Sequence, residues 1–298
     1  MKLSALQNLI AVVERGSIRA AARALDVPQP VITRSIQELE RDLKVVLFER
    51  SKKGVTLTPM GQVFWRRAVM ATGELRRAQD ELDQLRGETH GSLTVGLSMV
   101  SQITLMPGAL RQFRQRYPDV SLDIIDTLYP GAEAALKDGS IDFYVGPVID
   151  HVPQGLGVEK IFDTQRVIFS RKGHPLAKAE SLRELLHAEW VTTSVTSKGE
   201  DEIGPLFAQH GLPAPRLVVR AHAGLTYIMM LANSDLLMML PEKWAQFPLW
   251  GHLFQAIRVK EVLATRPICI VQRTGLPLTP AAEYFCDMVR REGAGLQA

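Results

Sequence analysis

The sequence predicts an α/β protein made of a small helical head with a β-hairpin, one long helix, and a two-lobed α/β body. Three observations predict this architecture. A heptad pattern runs from Phe64 to Leu85 within residues 58–87, three short amphipathic helices precede this segment, and β-rich and helical runs alternate after it. We therefore expect domains at residues 1–57, 58–87 and 88–298.

The head has the pattern of a helix-turn-helix. Gly16 ends a first helix, Ser17 can cap a second, and a tight turn at Pro28 leads into a third helix. The third helix has an apolar face and an opposite face that carries Gln29, Pro30, Thr33, Arg34 and Gln37. A helix of this kind enters the major groove of DNA, where Gln can pair with adenine and Arg with guanine. These five residues are the predicted base-reading face.

A basic hairpin follows the third helix. β-rich residues 45–49 and 55–57 flank Arg50, Lys52 and Lys53, which predicts a wing that contacts phosphates or the minor groove. A solvated turn is the alternative for the lysine pair. Residues 1–67 contain 12 Lys and Arg against 6 Asp and Glu, so the head is basic while the whole chain has a net charge of +3. This charge distribution favours nucleic acid as a partner.

The long helix begins at Thr58-Pro59, because threonine can cap free N–H groups and proline suits the first turn. Its apolar positions recur at steps of four and three: Phe64, Ala68, Ala71, Leu75, Ala78, Leu82 and Leu85. This pattern predicts the seam of a two-stranded dimer helix, in which alanines allow close approach. A surface helix packed on its own domain is the alternative.

The residues of the head resemble those of LysR-type transcriptional regulators. The resemblance rests on Gly16-Ser17, Ala20-Ala21-Ala22, Leu25, Gln29-Pro30, Ile36, Leu39-Glu40, Leu43, Leu47-Phe48-Glu49-Arg50, and Leu57-Thr58 through Gly61. It extends over the chain, and further similarity to the branch that answers aromatic sulfonates lies in Arg19–Ala22, Gly54-Val55, Arg76–Gln79, Gln84–Gly87 and Tyr129-Pro130. Pro28 stands where the family usually has Ser, so we expect a different start of the third helix.

The body reads as two α/β lobes. Its β-rich runs are 92–97, 120–125, 141–145, 167–170, 191–193, 217–219, 236–240 and 268–271, with helical runs between them. The βαβα order predicts parallel sheets with helices on both faces. A chain that leaves one lobe and returns gives lobe I at about 91–162 and 267–298 and lobe II at about 163–266. The resemblance implies the same, an effector-binding domain like the periplasmic solute-binding proteins.

Ligands of open parallel sheets bind at the carboxyl ends of strands and at helix N-termini. The residues at those places are Ser98, Met99, Val100, Ser101, Thr127, Pro147, Val148, Thr193, Ser194, Val195, Thr196 and His222. The hydroxyl groups could hold an anion, and the apolar side chains could hold an aromatic ring. Ordinary helix caps, and a structural histidine at 222, are the alternatives.

The preferred hypothesis is a LysR-type regulator that reads an interrupted palindrome. Its implied partners are double-stranded DNA, a small-molecule effector, further copies of itself as a homodimer or homotetramer, and RNA polymerase. We expect no cofactor, no metal, no membrane partner and no catalytic residue, because enzyme motifs such as HExxH, GxGxxG and GxSxG do not occur. Two cysteines and an N-terminus unlike a signal peptide favour the cytoplasm. An enzyme or a solute-binding protein with an appended DNA-binding head is the alternative.

Overall fold

The computed structural model describes residues 1–51, 54–148, 152–192, 202–221, 223–248, 250–263 and 266–296 of the 298-residue chain. Two compact units can be distinguished by their internal contacts: Met1–Asp83 with Asp138–Ser140, and Gln84–Lys137 with Ile141–Ala298. None of the helices in the described ranges combines the length and the hydropathy that a membrane crossing requires.

The first unit contains a three-helix head, a β-hairpin and most of a long helix. Its elements are α1 (Leu3–Arg15), α2 (Ile18–Ala24), α3 (Gln29–Leu43), β1 (Phe48–Ser51), β2 (Gly54–Leu57) and α4 (Pro59–Leu85). The two strands pair antiparallel. The predicted winged helix-turn-helix is confirmed, although β1 begins at residue 48 rather than 45. The Glu40 carboxylate accepts hydrogen bonds from the backbone N–H groups of Leu47 at 2.7 Å and Phe48 at 3.3 Å, which fixes the approach to the wing.

Apolar faces of the three helices and the wing close one core in this unit. Its buried members are Leu6, Leu9, Ala11, Val12, Ala21, Ala22, Ile32, Ile36, Leu39, Leu47, Phe48 and Ala68. Ser17 caps α2 by accepting a hydrogen bond from Ala20 N–H at 3.1 Å. Thr58 caps α4 by accepting one from Gly61 N–H at 2.9 Å, as the sequence predicted. A side chain at Gly61 would clash with the carbonyl oxygen of Leu47, so the turn requires glycine there.

The second unit is the α/β body. Its elements in chain order are β3 (His90–Leu97), α5 (Met99–Thr104), α6 (Met106–Arg116), β4 (Asp119–Asp126), α7 (Tyr129–Lys137), β5 (Phe143–Pro147), β6 (Leu156–Thr164), β7 (Arg166–Arg171), β8 (Glu189–Thr192), α8 (Ile203–Gln209), β9 (Arg216–Arg220), α9 (Gly224–Ala232), β10 (Leu236–Pro241), β11 (Phe254–Ile257), β12 (Arg266–Arg273) and α10 (Pro280–Gly295). Short 3₁₀ helices at Leu182–Leu185 and Glu242–Gln246 interrupt this series.

The body has two five-stranded sheets, one for each lobe. Lobe I has the strand order β4-β3-β5-β12-β6, and lobe II has the order β11-β7-β10-β8-β9. In lobe I, Phe143 and Tyr144 point to opposite faces. Phe143 joins the core under α6 and α10, and Tyr144 joins the core under α7. In lobe II, Ile168 and Phe169 alternate in the same way between a core under α8 and a core under α9. Helices on both faces were predicted, and this part of the prediction is confirmed.

The expectation of parallel sheets is wrong in one respect. Strands β3, β4 and β5 are parallel, as are β8, β9 and β10, but β12 runs antiparallel to β5 and β6, and β7 runs antiparallel to β10 and β11. The chain passes between the lobes twice, from β6 into β7 and from β11 to β12. A strand that leaves or enters a lobe in this way is not constrained by a βαβ crossover, so both sheets are mixed.

Candidate functional site

The predicted base-reading face of α3 forms one surface patch. Gln29, Pro30, Thr33, Arg34 and Gln37 line the same shallow groove, which we call the recognition patch. Thr33 is half-buried and the other four are exposed. The Arg34 side chain is 83% exposed and lies 3.7 Å from the Glu38 carboxylate. Such an exposed ion pair is weak, so the Arg34 guanidinium can exchange it for a partner on DNA.

The helix α3 begins at Gln29 although no side chain caps it. Pro30 has no N–H group, and the N–H group of Val31 donates to the Pro28 carbonyl at 2.9 Å. Pro30 and Val31 therefore leave fewer free N–H groups at the start of α3, so less is lost when no serine caps the helix. The third helix thus starts directly after Pro28 without the side-chain cap that a serine would supply.

The basic tip of the wing was predicted to contact DNA as well. Lys52 and Lys53 lie outside the described residues, as does the side chain of Arg50. Their phosphate contacts stay a prediction.

The apolar stripe of α4 has two parts with different surroundings. Phe64 and Ala68 pack into the core of the head. The remaining members are exposed: Ala71, Leu75, Ala78, Leu82 and Leu85. Among these, Leu75 is 56% exposed and Leu82 is 51% exposed. The first two positions thus follow the alternative interpretation, and the later ones form an unpaired apolar seam.

A cavity opens inside the body, and residues from both lobes line it. Lobe I contributes residues that follow β3, β4 and β5, and lobe II contributes residues from α9, β10 and the 3₁₀ helix after it. The described lining is Ser98, Met99, Val100, Asp126, Thr127, Leu128, Pro147, Thr164, Arg166, Glu202, Gly224, Tyr227, Met239, Leu240, Pro241, Trp244, Arg266 and Ile268. The ends of parallel strands converge here, as expected for an α/β ligand site.

Two arginines in this cavity share one acidic partner. The Arg166 guanidinium donates a hydrogen bond to the Glu202 carboxylate and a second, at 3.0 Å, to the Met239 carbonyl. Arg266 Nε lies 3.4 Å from Glu202 Oε2. Burial lowers the pKa of Arg166, and the attraction of Glu202 opposes that change while the nearby charge of Arg266 adds to it. The three side chains together carry one excess positive charge.

Both arginines lie where the chain passes between the lobes. Arg166 begins β7 two residues after β6 ends at Thr164, and Arg266 begins β12. The Thr164 hydroxyl donates to the Arg266 carbonyl at 2.8 Å, which joins the two passages. An anion bound by these arginines would therefore contact both segments by which the chain passes between the lobes.

The opposite side of the cavity holds a direct contact between lobes. The Asp126 carboxylate in lobe I lies close to the Gln102 side chain and to the N–H group of Gly224, the first residue of α9 in lobe II. Partial burial raises the pKa of Asp126, and these two polar neighbours oppose the increase. Met99 lies against Gly224, where a β-carbon would collide with its sulfur. A side chain at position 224 would therefore displace the flexible Met99 side chain.

Only some of the effector-binding residues predicted from the sequence line this cavity. Ser98, Met99, Val100, Thr127 and Pro147 line the cavity. Thr193, Ser194, Val195, Thr196 and His222 lie outside the described residues.

The Ser98 hydroxyl is used at the start of α5, and two further predicted residues, Ser101 and Val148, do not line the cavity. The Ser98 oxygen accepts from Ser101 N–H at 3.4 Å and lies 2.9 Å from the Ser101 hydroxyl, so it caps α5. Ser101 and Val148 are not among the described residues that line the cavity, and Val148 packs beside Tyr129. The capping alternative applies to Ser98, and Ser101 lies inside α5 with its N–H group bonded to that cap.

Sequence reasoning missed the charged part of the site. Arg166 and Arg266 could have been found, because each precedes a buried β-rich run at a predicted lobe boundary, where a charged residue has no core role. Glu202 gave no such signal, since its two partners lie 36 and 64 positions away along the chain. Tyr227 and Trp244 were missed because aromatic residues in helical runs are more often core residues.

Comparison with known proteins covers both units. Residues 3–62 match the family model described as "Bacterial regulatory helix-turn-helix protein, lysR family". Residues 86–294 match the one described as "LysR substrate binding domain". Among curated relatives, the HTH-type transcriptional regulator TdcA of Escherichia coli K12 is 24% identical over 94% of this chain and 89% of its own length. The probable RuBisCO transcriptional regulator of Porphyra purpurea is 31% identical over 73% of this chain and 70% of its own length.

A solved structure has a similar fold over nearly the whole length of this chain. Full-length CbnR complexed with its target DNA has a TM-score of 0.72 at 24% identity, and the match covers 98% of this chain and 100% of that one. The two family matches together account for the head and for the body with its cavity. The chain belongs to the LysR family of transcriptional regulators.

Proposed function

We propose that this regulator binds an interrupted palindromic operator as a homo-oligomer and responds to a small anionic aromatic effector in the cavity of its body. Membership of the LysR family establishes the coarser function, a DNA-binding transcriptional regulator with an effector-binding domain. The relatives it matches are regulators and not enzymes, so we assign no catalysis.

The observation that carries the effector proposal is the charge of the buried cluster. Two guanidinium groups, Arg166 and Arg266, face one carboxylate, Glu202. A buried charge without a counter-ion is costly, and a carboxylate or sulfonate would neutralise it through charge-assisted hydrogen bonds. An anion is therefore the ligand class that this cluster favours, while Asp126, whose pKa burial raises, lines another part of the cavity.

The walls of the cavity support an aromatic body for that anion. Met99, Val100 and Pro147 supply an apolar surface from lobe I, and Tyr227 and Trp244 supply aromatic rings from lobe II. The cavity volume is about 90 Å³. That is smaller than the roughly 150 Å³ cavity that accepts benzene in an engineered protein. Binding of a ring would therefore favour a wider separation of the lobes, and such a shift is the route to a changed DNA affinity.

The operator proposal rests on the recognition patch and the exposed seam of α4. Two heads related by a two-fold axis would read two half-sites, and that symmetry would be mirrored in the DNA. The exposed leucines of α4 supply an apolar contact for a second copy. CbnR is described in complex with its target DNA. We extend the proposal on the basis of the LysR family: the protein acts in the cytoplasm, assembles to a tetramer and contacts RNA polymerase.

The experiment combines a ligand screen with a DNA-binding assay on the full chain. We expect aromatic carboxylates or sulfonates to raise the melting temperature and to change the affinity for the protein's own upstream DNA, measured by fluorescence anisotropy. Arg266→Gln should lose the response to these acids while effector-free DNA binding is retained. Stabilisation by uncharged sugars and not by any acid would contradict the anionic effector.

A further inference from the structure

Two buried polar atoms of the charged cluster have no hydrogen-bond partner among the described residues. They are Glu202 Oε1 and Arg266 Nε, and both residues line the cavity. Arg266 Nε is ion-paired with Glu202 Oε2 at 3.4 Å but makes no hydrogen bond to it. Arg166 also binds Oε2, so both arginines approach the same oxygen and Oε1 is left over. Unsatisfied buried groups of this kind are rare in folded proteins.

The two atoms have opposite requirements. Arg266 Nε carries a hydrogen and needs an acceptor, whereas Glu202 Oε1 is a carboxylate oxygen and needs a donor. They belong to one ion pair, so neighbouring atoms of one ligand can supply both the acceptor and the donor. A simple carboxylate would satisfy Arg266 but would place a second negative charge against Oε1.

We propose that the effector is an acid with a hydroxyl group adjacent to its acid group. The acid oxygen accepts a hydrogen bond from Arg266 Nε, and the adjacent hydroxyl donates to Glu202 Oε1. Glu202 is then a specificity-determining residue that rejects acids without this hydroxyl. The inference rests on the proposed function, because it names the ligand class for the same cavity.

This arrangement uses a known source of discrimination. A site built to hydrogen-bond a hydroxyl disfavours an analogue that lacks it, because the buried polar group is then left unpaired. The aromatic walls formed by Tyr227 and Trp244 are compatible with an aryl group on the same acid. Mandelate and 2-hydroxybenzoate therefore serve as probes, and phenylacetate and benzoate are their matched analogues without the hydroxyl.

The test is calorimetry on the full chain with both pairs of acids. We expect mandelate to bind about tenfold more tightly than phenylacetate, and 2-hydroxybenzoate to exceed benzoate in the same direction. Moving the hydroxyl away, as in 4-hydroxybenzoate, should abolish the advantage. In Glu202→Gln the repulsion between two carboxylates is removed, so the preference for mandelate should fall to less than threefold. Circular dichroism and the melting temperature of this variant check that it is folded.

A second variant separates charge from hydroxyl recognition. Arg266→Lys keeps the positive charge but removes the Nε–H group, so all the acids should bind more weakly. Equal affinity for mandelate and phenylacetate in the wild type, or an unchanged preference in Glu202→Gln, would overturn this inference and leave the proposed function standing. No binding by any of the five acids would overturn the anionic aromatic effector and this inference together.

Discussion

The recognition patch and the cavity of the body place their charged groups in opposite surroundings. The patch draws five residues from positions 29–37 of one helix, and its Arg34 is exposed to water. The cavity draws residues from positions 98–268, and its Arg166, the first residue of β7, is buried beside Glu202. A charge in water is free to meet DNA, whereas a charge in the cavity needs an internal counter-ion. Substitutions in the patch should therefore affect binding alone, and substitutions in the cavity should affect folding as well.

The largest effect should come from α4, the helix that would bring two recognition patches together. Two patches act together only if α4 pairs, so Leu75→Asp with Leu82→Asp should give a folded monomer. Loss of the second head should reduce operator affinity by about 100-fold or more, because bivalent binding is lost. Light scattering measures the mass and anisotropy measures the affinity.

An exposed position outside the stripe provides the control. Arg76→Asp introduces the same negative charge beside the seam and should leave the oligomer intact. If the double variant still has the wild-type mass, the body and not α4 holds the copies together.

The contrast between buried and exposed charge can be tested within one strand. Arg166 and Arg171 are the first and last residues of β7, and each has an acidic partner, Glu202 and Asp235. Arg166→Met should lower the free energy of unfolding by about 3 kcal/mol, because it breaks a buried pair. Arg171→Met should cost less than about 1 kcal/mol, because its partner is exposed. Urea unfolding followed by tryptophan fluorescence measures both values. Equal losses would contradict the assignment of Arg166 to a desolvated cluster.

Within the patch, we expect loss of specificity without loss of stability. Gln29→Ala should reduce the preference for operator over random DNA by about 1–3 kcal/mol, the value of one bidentate base contact. Gln7→Ala changes the same residue type on the exposed side of α1 and should have no effect. Competition gel shifts measure this preference. If Gln29→Ala discriminates between operator and random DNA as well as the wild type does, the prediction that α3 reads bases in the major groove is wrong.

The wing should behave differently from α3. Lys52→Ala should weaken binding to all sequences alike, and the slope of log affinity against log salt should decrease by about one. A sequence-dependent loss would instead indicate base contact at this position.

The smallest effect concerns the two cysteines of the body. Burial raises the pKa of Cys269 to about 11 and raises the pKa of Cys286 well above its ordinary value. The thiolate is the reactive form, so neither thiol should react with a disulfide reagent in the folded protein at pH 8, and both should react in urea.

The same shift fixes the sign of a pH effect. The folded pKa of Cys269 exceeds its unfolded value, so its contribution to stability is complete below about pH 8.5 and is lost as the pH rises towards 11. Cys269→Ala should flatten that part of the stability profile. One rapidly reacting thiol at pH 8 would contradict the burial of these groups.

Sequence patterns predicted the patch better than the cavity for a physical reason. The patch depends on helical periodicity, and Gln29, Arg34 and Gln37 lie within about two turns, so local spacing defines their shared face. The cavity depends on sheet topology. The rule that ligands lie at strand ends found Thr127 and Pro147, since those positions follow from strand order.

That rule did not extend to the residues that bring the charges together. Glu202 meets Arg166 and Arg266 through long-range packing that no local spacing encodes. The strand β12 was predicted at 268–271, but its antiparallel direction was missed, because that direction depends on how often the chain passes between lobes. The α4 stripe was predicted as one seam, yet Phe64 and Ala68 pack onto the head because the first turns of the helix face their own core.

The position of β12 has a consequence for biosynthesis. This strand lies between β5 and β6 in the lobe I sheet, yet it is made after all of lobe II. During translation the head and lobe II can therefore complete their cores first, while β5 and β6 present unpaired edges until residues 266–273 leave the ribosome. A premature stop before Arg266 would leave a chain with a complete DNA-reading head and two open strand edges, which are sites for aggregation. Quality control of the whole regulator thus depends on the last tenth or so of its length.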